Sequence, residues 1–314
     1  MAKFHIFVDG AIGTTGLRIF ERLSRETDIE LMQLPEKQRK DLNTRLHTIG
    51  QADLTFLCLP DEAAKEIINY APTDAKICDT STAHRIDPNW VYGLAELSKQ
   101  TDRIRAANRV AIPGCHATGF ISLIRPLVEM EAILTDFPLT CHSITGFSGG
   151  GKAMIADYNL PNRLPELNAP RLYGLSLQHK HLPEMTTFTG ITQPPLFTPV
   201  VADFYSGILV SIPLPMTAFS AAYQSGEKLT MLLQDYYRNR PLITVKPFAA
   251  LPESGMLAAN TLTGKDNLEI ALFGNNQHIL LTARFDNLGK GASGAAIQCM
   301  NLMLGREETA GLSF

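Results

Sequence analysis

Apolar positions change their spacing near residue 138. Before that point, short continuous apolar runs alternate with stretches of helical period. Residues 4–9 read as a buried strand that ends in a glycine turn, and Leu17, Ile19, Phe20 and Leu23 then recur at helical intervals. Residues 54–59 predict another buried strand stopped by Pro60, 76–79 a further one, and 109–112 one more ahead of Pro113 and Gly114. Strands alternating with helices predict βαβ units and a parallel sheet. Beyond 138, longer β-branched and aromatic runs at 139–145, 207–213, 268–273 and 278–285 predict a mainly antiparallel sheet, with a helix at 226–240. Asn159, Pro161, Asn162, Pro165, Asn168 and Pro170 predict an extended loop between them. The stretch 292–304 reads as a helix that returns to the first domain.

Length agrees with that division. At 314 residues the chain suits two domains. We expect 1–115, completed by 288–314, as the first domain and 116–287 as an α+β second domain. Composition removes several function classes. Lys plus Arg at 28 against Asp plus Glu at 31 leaves a net charge of −3, which offers no footprint for nucleic acid. No apolar run is long enough for a membrane span, and the first residues reach Asp9 and Gly10 too early for a signal peptide. Five cysteines, odd in number and widely spaced, predict neither a disulfide framework nor a metal site and point to a reducing, cytoplasmic setting.

Two glycine clusters compete for a dinucleotide. Gly10-Ala11-Ile12-Gly13-Thr14-Thr15-Gly16 follows the first strand and opens the first helix, where glycines permit a tight turn and a helix N-terminus attracts pyrophosphate. A turn that binds nothing is the bland alternative. Gly289-Lys290-Gly291-Ala292-Ser293-Gly294 matches the stricter GxGxxG spacing, but too little chain follows to build a βαβ unit. Its use would be backbone supplied to an active site. After the second strand, 29–33, no clear carboxylate waits for ribose hydroxyls. Lys37, Arg39 and Lys40 follow instead and favour the 2′-phosphate of NADP, although Glu36 stands among them and a solvated loop explains the same charges. The fold expected is therefore α/β, a Rossmann-type NADP-binding domain joined to an α+β catalytic and dimerisation domain.

One cysteine has the setting of a nucleophile. Cys58, Cys78, Cys141 and Cys299 sit within buried-strand or helix patterns and read as small apolar packers. Cys115 instead lies between a strand end and an apparent helix start, where the helix dipole and free N–H groups favour thiolate and can hold an oxyanion. A packed cysteine at a strand end is the alternative. His179 and His181 are spaced to share one side of an extended chain, and a histidine pKa of about 6.5 suits proton transfer. His116 adjoins the cysteine without a comparable setting. Ser148, Gly149 and Lys152, within 146–152, make an anion nest or a flexible linker, and Arg85 either serves an anion or faces solvent.

Taken together, the glycine turn at 10–16, the segments 78–82 and 91–97, the 112–118 turn with Cys115, the 146–152 cluster, His179-Lys180-His181-Leu182-Pro183-Glu184 and the run 286–294 resemble the short form of the N-acetyl-γ-glutamyl-phosphate reductase family. That family belongs with the glyceraldehyde-3-phosphate and aspartate-semialdehyde dehydrogenases. The resemblance implies NADPH-dependent reductive dephosphorylation of N-acetyl-L-glutamyl 5-phosphate in arginine biosynthesis, through a Cys115 thioester. It implies His179 as acid/base, with His181 the second candidate. Gly10, Ile12, Gly13, Thr14, Thr15, Gly16, Lys37, Arg39, Ser81, Asn287 and Gly289 would bind cofactor, the last two on the nicotinamide side. Ser148, Gly149, Lys152, Arg85 and Glu184 would bind substrate, and the chain would form a homodimer or homotetramer. Longer relatives commonly carry arginine where Lys152 and Lys180 stand, and tyrosine where His116 stands. Another acyl-phosphate or semialdehyde dehydrogenase, such as an aspartate-semialdehyde enzyme, or a non-catalytic NADP-binding sensor, are the alternatives.

Overall fold

A computed structural model describes residues 3–314. The chain divides into two compact units, Met1–Pro113 with Ala292–Leu312, and Gly114–Gly291 with Ser313–Phe314. In the first unit β1 (Phe4–Asp9), α1 (Thr14–Leu23), β2 (Ile29–Met32), α2 (Leu42–Gln51), β3 (Leu54–Leu57), α3 (Asp61–Tyr70), β4 (Ile77–Asp79), β5 (Val91–Tyr92), α4 (Gln100–Ala106) and β6 (Arg109–Ala111) follow in order. The strands form one parallel sheet, ordered β2-β1-β3-β4-β6-β5. Buried on both faces, its strands read as continuous apolar runs. Ile6, Val8, Leu54 and Phe56 pack with Ile19 and Leu23 of α1 on one face. Phe7 and Leu57 pack with Ile49 of α2 and Ile67 of α3 on the other.

The sheet order reverses between β1 and β3, the crevice where doubly wound folds take ligands. Gly10 leaves β1 at φ +87, and a Cβ there would overlap the carbonyl oxygen of Cys58, just past β3. Glycine is required here by both conformation and space. The preceding Asp9 is buried and takes two hydrogen bonds from Arg45 of α2, at 2.8 and 2.6 Å. Desolvation still leaves its carboxyl pKa raised. The α1 pattern needs one correction. Gly16, Ile19 and Leu23 form the buried stripe, whereas Leu17 is 42% exposed, because its position points away from that stripe.

The second unit contains α5 (Cys115–Glu129), β7 (Thr140–Gly146), α6 (Gly151–Asn159), β8 (Arg171–Leu172), α7 (Leu182–Thr189), β9 (Leu196–Ala202), β10 (Ile208–Pro215), α8 (Gly226–Tyr236), β11 (Ile243–Val245), β12 (Leu268–Gly274) and β13 (His278–Phe285). Its sheet runs β11-β12-β13-β10-β7-β9-β8. The pairings β8–β9, β7–β10, β10–β13 and β12–β13 are antiparallel, while β7–β9 and β11–β12 are parallel. Helix α5 lies on this sheet so closely that a Cβ on Gly119 would be 3.0 Å from Phe285. Along β7, Cys141, Ser143 and Thr145 are buried while His142 and Ile144 face outward. That alternation matters below, because it aims Ser143 at α5.

Helix α9 (Gly294–Met303) is buried along its whole length within the first unit. Its polar residues are satisfied: Gln298 donates to Glu96 and Glu308 at 2.8 Å each, and Asn301 donates to two tail carbonyls. Just beyond, Arg306 pairs with Glu26 and Asp28.

Candidate active site

The turn carrying Cys115 is built by Pro113 and Gly114. Gly114 is the N-cap of α5 and supplies no capping side chain, so the first N–H groups of the helix are left for other acceptors. Cys115 is half-buried at the first helical position. Burial pushes the thiols of Cys78 and Cys141 up, and that of Cys58 to about 12, which disfavours thiolate at all three. A Cβ on Gly291 would stand 2.8 Å from the Cys115 Cβ. The second glycine of the literal GxGxxG run thus lets backbone pass directly beside this cysteine.

His179 and His181 meet, but not through extended chain. The segment turns: Leu182 N–H donates to His179 carbonyl at 3.0 Å, and His181 N–H donates to His179 Nδ1 at 3.2 Å. His181 is the N-cap of α7, and the two rings contact edge to face with centroids 4.7 Å apart. Proline at the start of α7 suits that turn.

Glu184, in the first turn of α7, is buried and accepts from Gly114 N–H at 3.1 Å. Its other oxygen lies 3.9 Å from His181 Nε2. This carboxylate therefore ties the two-histidine segment to the cysteine turn. His116 completes the cluster, with its ring 5.7 Å from His179 and 5.5 Å from His181. Its Nδ1 is 2.7 Å from Ser143 Oγ and its Nε2 is 2.6 Å from the Tyr173 hydroxyl. Burial, with His179 and Lys180 as neighbouring positive charges, drops the His116 pKa to about 3. His116 is therefore a neutral imidazole. Adjacency to Cys115 made it visible in sequence, whereas Ser143 and Tyr173 carried no local signal, because strand packing and chain return bring them in.

Ser148 is buried in a single turn ahead of α6, and its Oγ accepts from Asn287 Nδ2 at 3.1 Å. Asn287 Oδ1 accepts from Gly207 N–H at 2.8 Å. Gly149 lies beside them, while Lys152 is exposed on α6. A Cβ on Gly289 would overlap Lys265 carbonyl, so this glycine is set by close packing of its own chain.

In the first unit, Gly13 caps α1 without a side-chain bond, and Gly16 permits close approach of the helix to Gly10. Ile12 is 63% exposed on the turn, beside Thr14 and Thr15. A helix start at a switch point, with no Cβ in the way at Gly10, Gly13 and Gly16, fits a dinucleotide pyrophosphate. Lys37 and Arg39 lie exposed in the turn after β2. Ser81 is buried, held by Asp79 through its N–H at 2.9 Å and Oγ at 2.7 Å. Arg85 is buried too, donating to Ile112 and Thr80 carbonyls at 3.0 and 3.3 Å. Among the described residues no group of three or more His, Cys, Asp or Glu gathers to hold a metal, and no helix is long and apolar enough to cross a membrane.

Comparison with known proteins identifies the family. Residues 5–106 match the semialdehyde dehydrogenase NAD binding domain and residues 115–287 the semialdehyde dehydrogenase dimerisation domain. The chain is 40% identical to N-acetyl-gamma-glutamyl-phosphate reductase 2 of Nostoc sp., over 99% of this chain and 100% of that one. It belongs to the N-acetyl-γ-glutamyl-phosphate reductase family. A Pseudomonas putida reductase of the same name is 41% identical over 98% of both chains. Among solved structures, aspartate semialdehyde dehydrogenase II from Vibrio cholerae, complexed with ASA, superposes with a TM-score of 0.69 at 16% identity, covering 97% of this chain and 99% of its own. That likeness concerns the fold, and it agrees with an α/β nucleotide-binding part beside a mixed-sheet domain.

Proposed function

We propose that the chain reduces N-acetyl-L-glutamyl 5-phosphate to N-acetyl-L-glutamate 5-semialdehyde and phosphate, through a thioester on Cys115, using NADPH. The observation that carries this reading is the Glu184–Gly114 hydrogen bond, which fastens a two-histidine segment to the turn of a half-buried helix-start cysteine. Family membership supplies the substrate class.

The thiolate of Cys115 adds to the acyl carbon, the carbon–oxygen bond to phosphate breaks, and inorganic phosphate leaves. N–H groups opening α5 favour both the thiolate and the oxyanion formed on addition. His179 holds the proton that moves at the departing and carbonyl oxygens, with His181 its alternate. NADPH, when bound, supplies the hydride that reduces the thioester carbon. The carbon–sulfur bond then breaks, giving the aldehyde and restoring Cys115 thiolate. Gly10, Ile12, Gly13, Thr14, Thr15 and Gly16 would hold the pyrophosphate, and Lys37 and Arg39 the 2′-phosphate. Ser81 faces the same role. Ser148, Gly149, Lys152 and Arg85 remain our candidates for substrate anions. Glu184, already bonded within the protein, is better read as a brace than as a substrate ligand. The dimerisation-domain match supports a homo-oligomer, dimer or tetramer, and the reactive thiol suits the reducing cytoplasm.

The test is the reverse assay. Semialdehyde and phosphate together should drive reduction of NADP, and neither alone should. Preference for aspartate semialdehyde in the same panel would move the chain to that chemistry, and absence of any turnover would support a binding-only sensor.

A further inference from the structure

We propose that His116, locked by Ser143, acts as a positioning residue that turns the Tyr173 hydroxyl into a fixed hydrogen-bond donor toward the reacting centre at Cys115. The inference rests on Cys115 being the nucleophile, and adds to that reading a relay of three side chains outside the cysteine and the histidine pair.

The geometry is a line of three polar groups. Ser143 Oγ is 2.7 Å from His116 Nδ1, and His116 Nε2 is 2.6 Å from Tyr173 Oη. Ser143 and His116 are buried, so their polar atoms must find partners within the protein. A neutral imidazole has one donor and one acceptor nitrogen, so two orientations of the line are open in principle. In one, protons run from tyrosine toward serine; in the other, from serine toward tyrosine.

Charge selects between them. Tyr173 stays a phenol, because burial and the charge of a nearby Cys115 thiolate push its pKa up. A phenol beside a thiolate is stabilised with its proton turned toward that negative charge. Its oxygen then accepts from His116 Nε2–H, and His116 Nδ1 accepts from Ser143 Oγ–H. Each bond in such a chain strengthens the next. His116 does not protonate to reverse the order, since burial above all, with Lys180 nearby, disfavours its charged form. Tyr173 is placed for this by Gly174, whose φ of +64 turns the chain at the end of β8 and whose missing Cβ would have met His179 at 3.6 Å. Phe197 closes the side of the cluster, its ring 5.3 Å from His116 and 5.1 Å from His179.

The experiment reads the thiol without substrate. Alkylation of Cys115 by iodoacetamide is followed against pH in the full-length protein, with Cys115→Ser giving the background from the other thiols. Tyr173→Phe and His116→Phe should each slow alkylation at pH 7 about fivefold to tenfold and move its midpoint upward by up to about one unit, as expected when a hydrogen bond to the thiolate is lost. The double variant should be no slower than Tyr173→Phe alone. His116→Gln, which keeps an N–H donor near the Nε2 position, should stay within about twofold of the parent. An unchanged profile in Tyr173→Phe overturns the proposal, as do effects that multiply in the double variant, or a His116→Gln variant as slow as His116→Phe. Tyr173→Phe and His116→Gln carry the test if His116→Phe fails to fold. Turnover with acyl phosphate, measured alongside, separates the two readings: an intact alkylation pattern without turnover would sink the proposed substrate and leave the relay standing.

Discussion

The glycine turn at 10–16 and the glycine run beginning at Gly289 both stand where a strand gives way to a helix, yet their glycines approach different things. Gly10 passes Cys58 carbonyl at the switch point of a parallel sheet, and Gly13 leaves the start of α1 uncapped. Gly289 packs on Lys265, and Gly291 lets backbone run beside Cys115. The looser motif has the setting for a dinucleotide, and the stricter one passes beside Cys115. Spacing alone does not assign a glycine motif; the sheet it leaves does.

Several substitutions can break that contrast. Cys115→Ser should lower kcat by about a thousandfold or more while NADPH affinity, read by fluorescence titration, stays within about twofold. Near-normal NADPH oxidation would remove the nucleophile assignment. His179→Ala should cost about a hundredfold in kcat, and His181→Ala clearly less; the opposite ranking would exchange their roles. Gly10→Ala and Gly291→Ala give the most direct comparison. The first should raise the KM for NADPH about tenfold or more, since it meets backbone at positive φ. The second should lower kcat about tenfold with little change in that KM, because its Cβ presses on Cys115. If both act on the cofactor KM alike, the two turns share one role. Replacing Lys37 and Arg39 with alanine should reduce the preference for NADPH over NADH several-fold, measured as the ratio of kcat/KM values.

A last comparison concerns stability rather than turnover. His116 titrates near 3 in the fold, against about 6.5 in the unfolded chain. Above pH 6.5 both states are neutral there. As pH falls below that value the unfolded chain takes up a proton that the fold refuses, so stability declines at about 1.4 kcal/mol per pH unit until pH 3. Urea midpoints of His116→Gln should fall less steeply over this window than those of the parent, and parallel slopes would show that His116 does not titrate this way.

How much of this was legible depended on how local the cause was. The strands of the first sheet announced themselves because burial on both faces demands unbroken apolar runs. The two-residue β5 and β8 and the three-residue β11 carry too few side chains to show a period, and β9, interrupted by Pro199, was not among the expected strands. The mixed character of the second sheet was likewise hidden, since β7 and β9 pair in parallel although 49 residues lie between the end of β7 at Gly146 and the start of β9 at Leu196. Cys115 and the histidine pair were readable from residue type and turn signals. Their juxtaposition through a turn, rather than through extended chain, was not.

By itself the sequence determined the two-part organisation, the helix-start cysteine and the glycine turn after the first strand, because each follows from neighbours along the chain. Only the tertiary structure decided which groups surround that cysteine. Glu184 reaches Gly114 across 70 residues, Ser143 reaches His116 across 27 and Tyr173 across 57. Hydrogen bonds of that span depend on the packing of α5, β7 and the segment leading into α7, which no local pattern encodes.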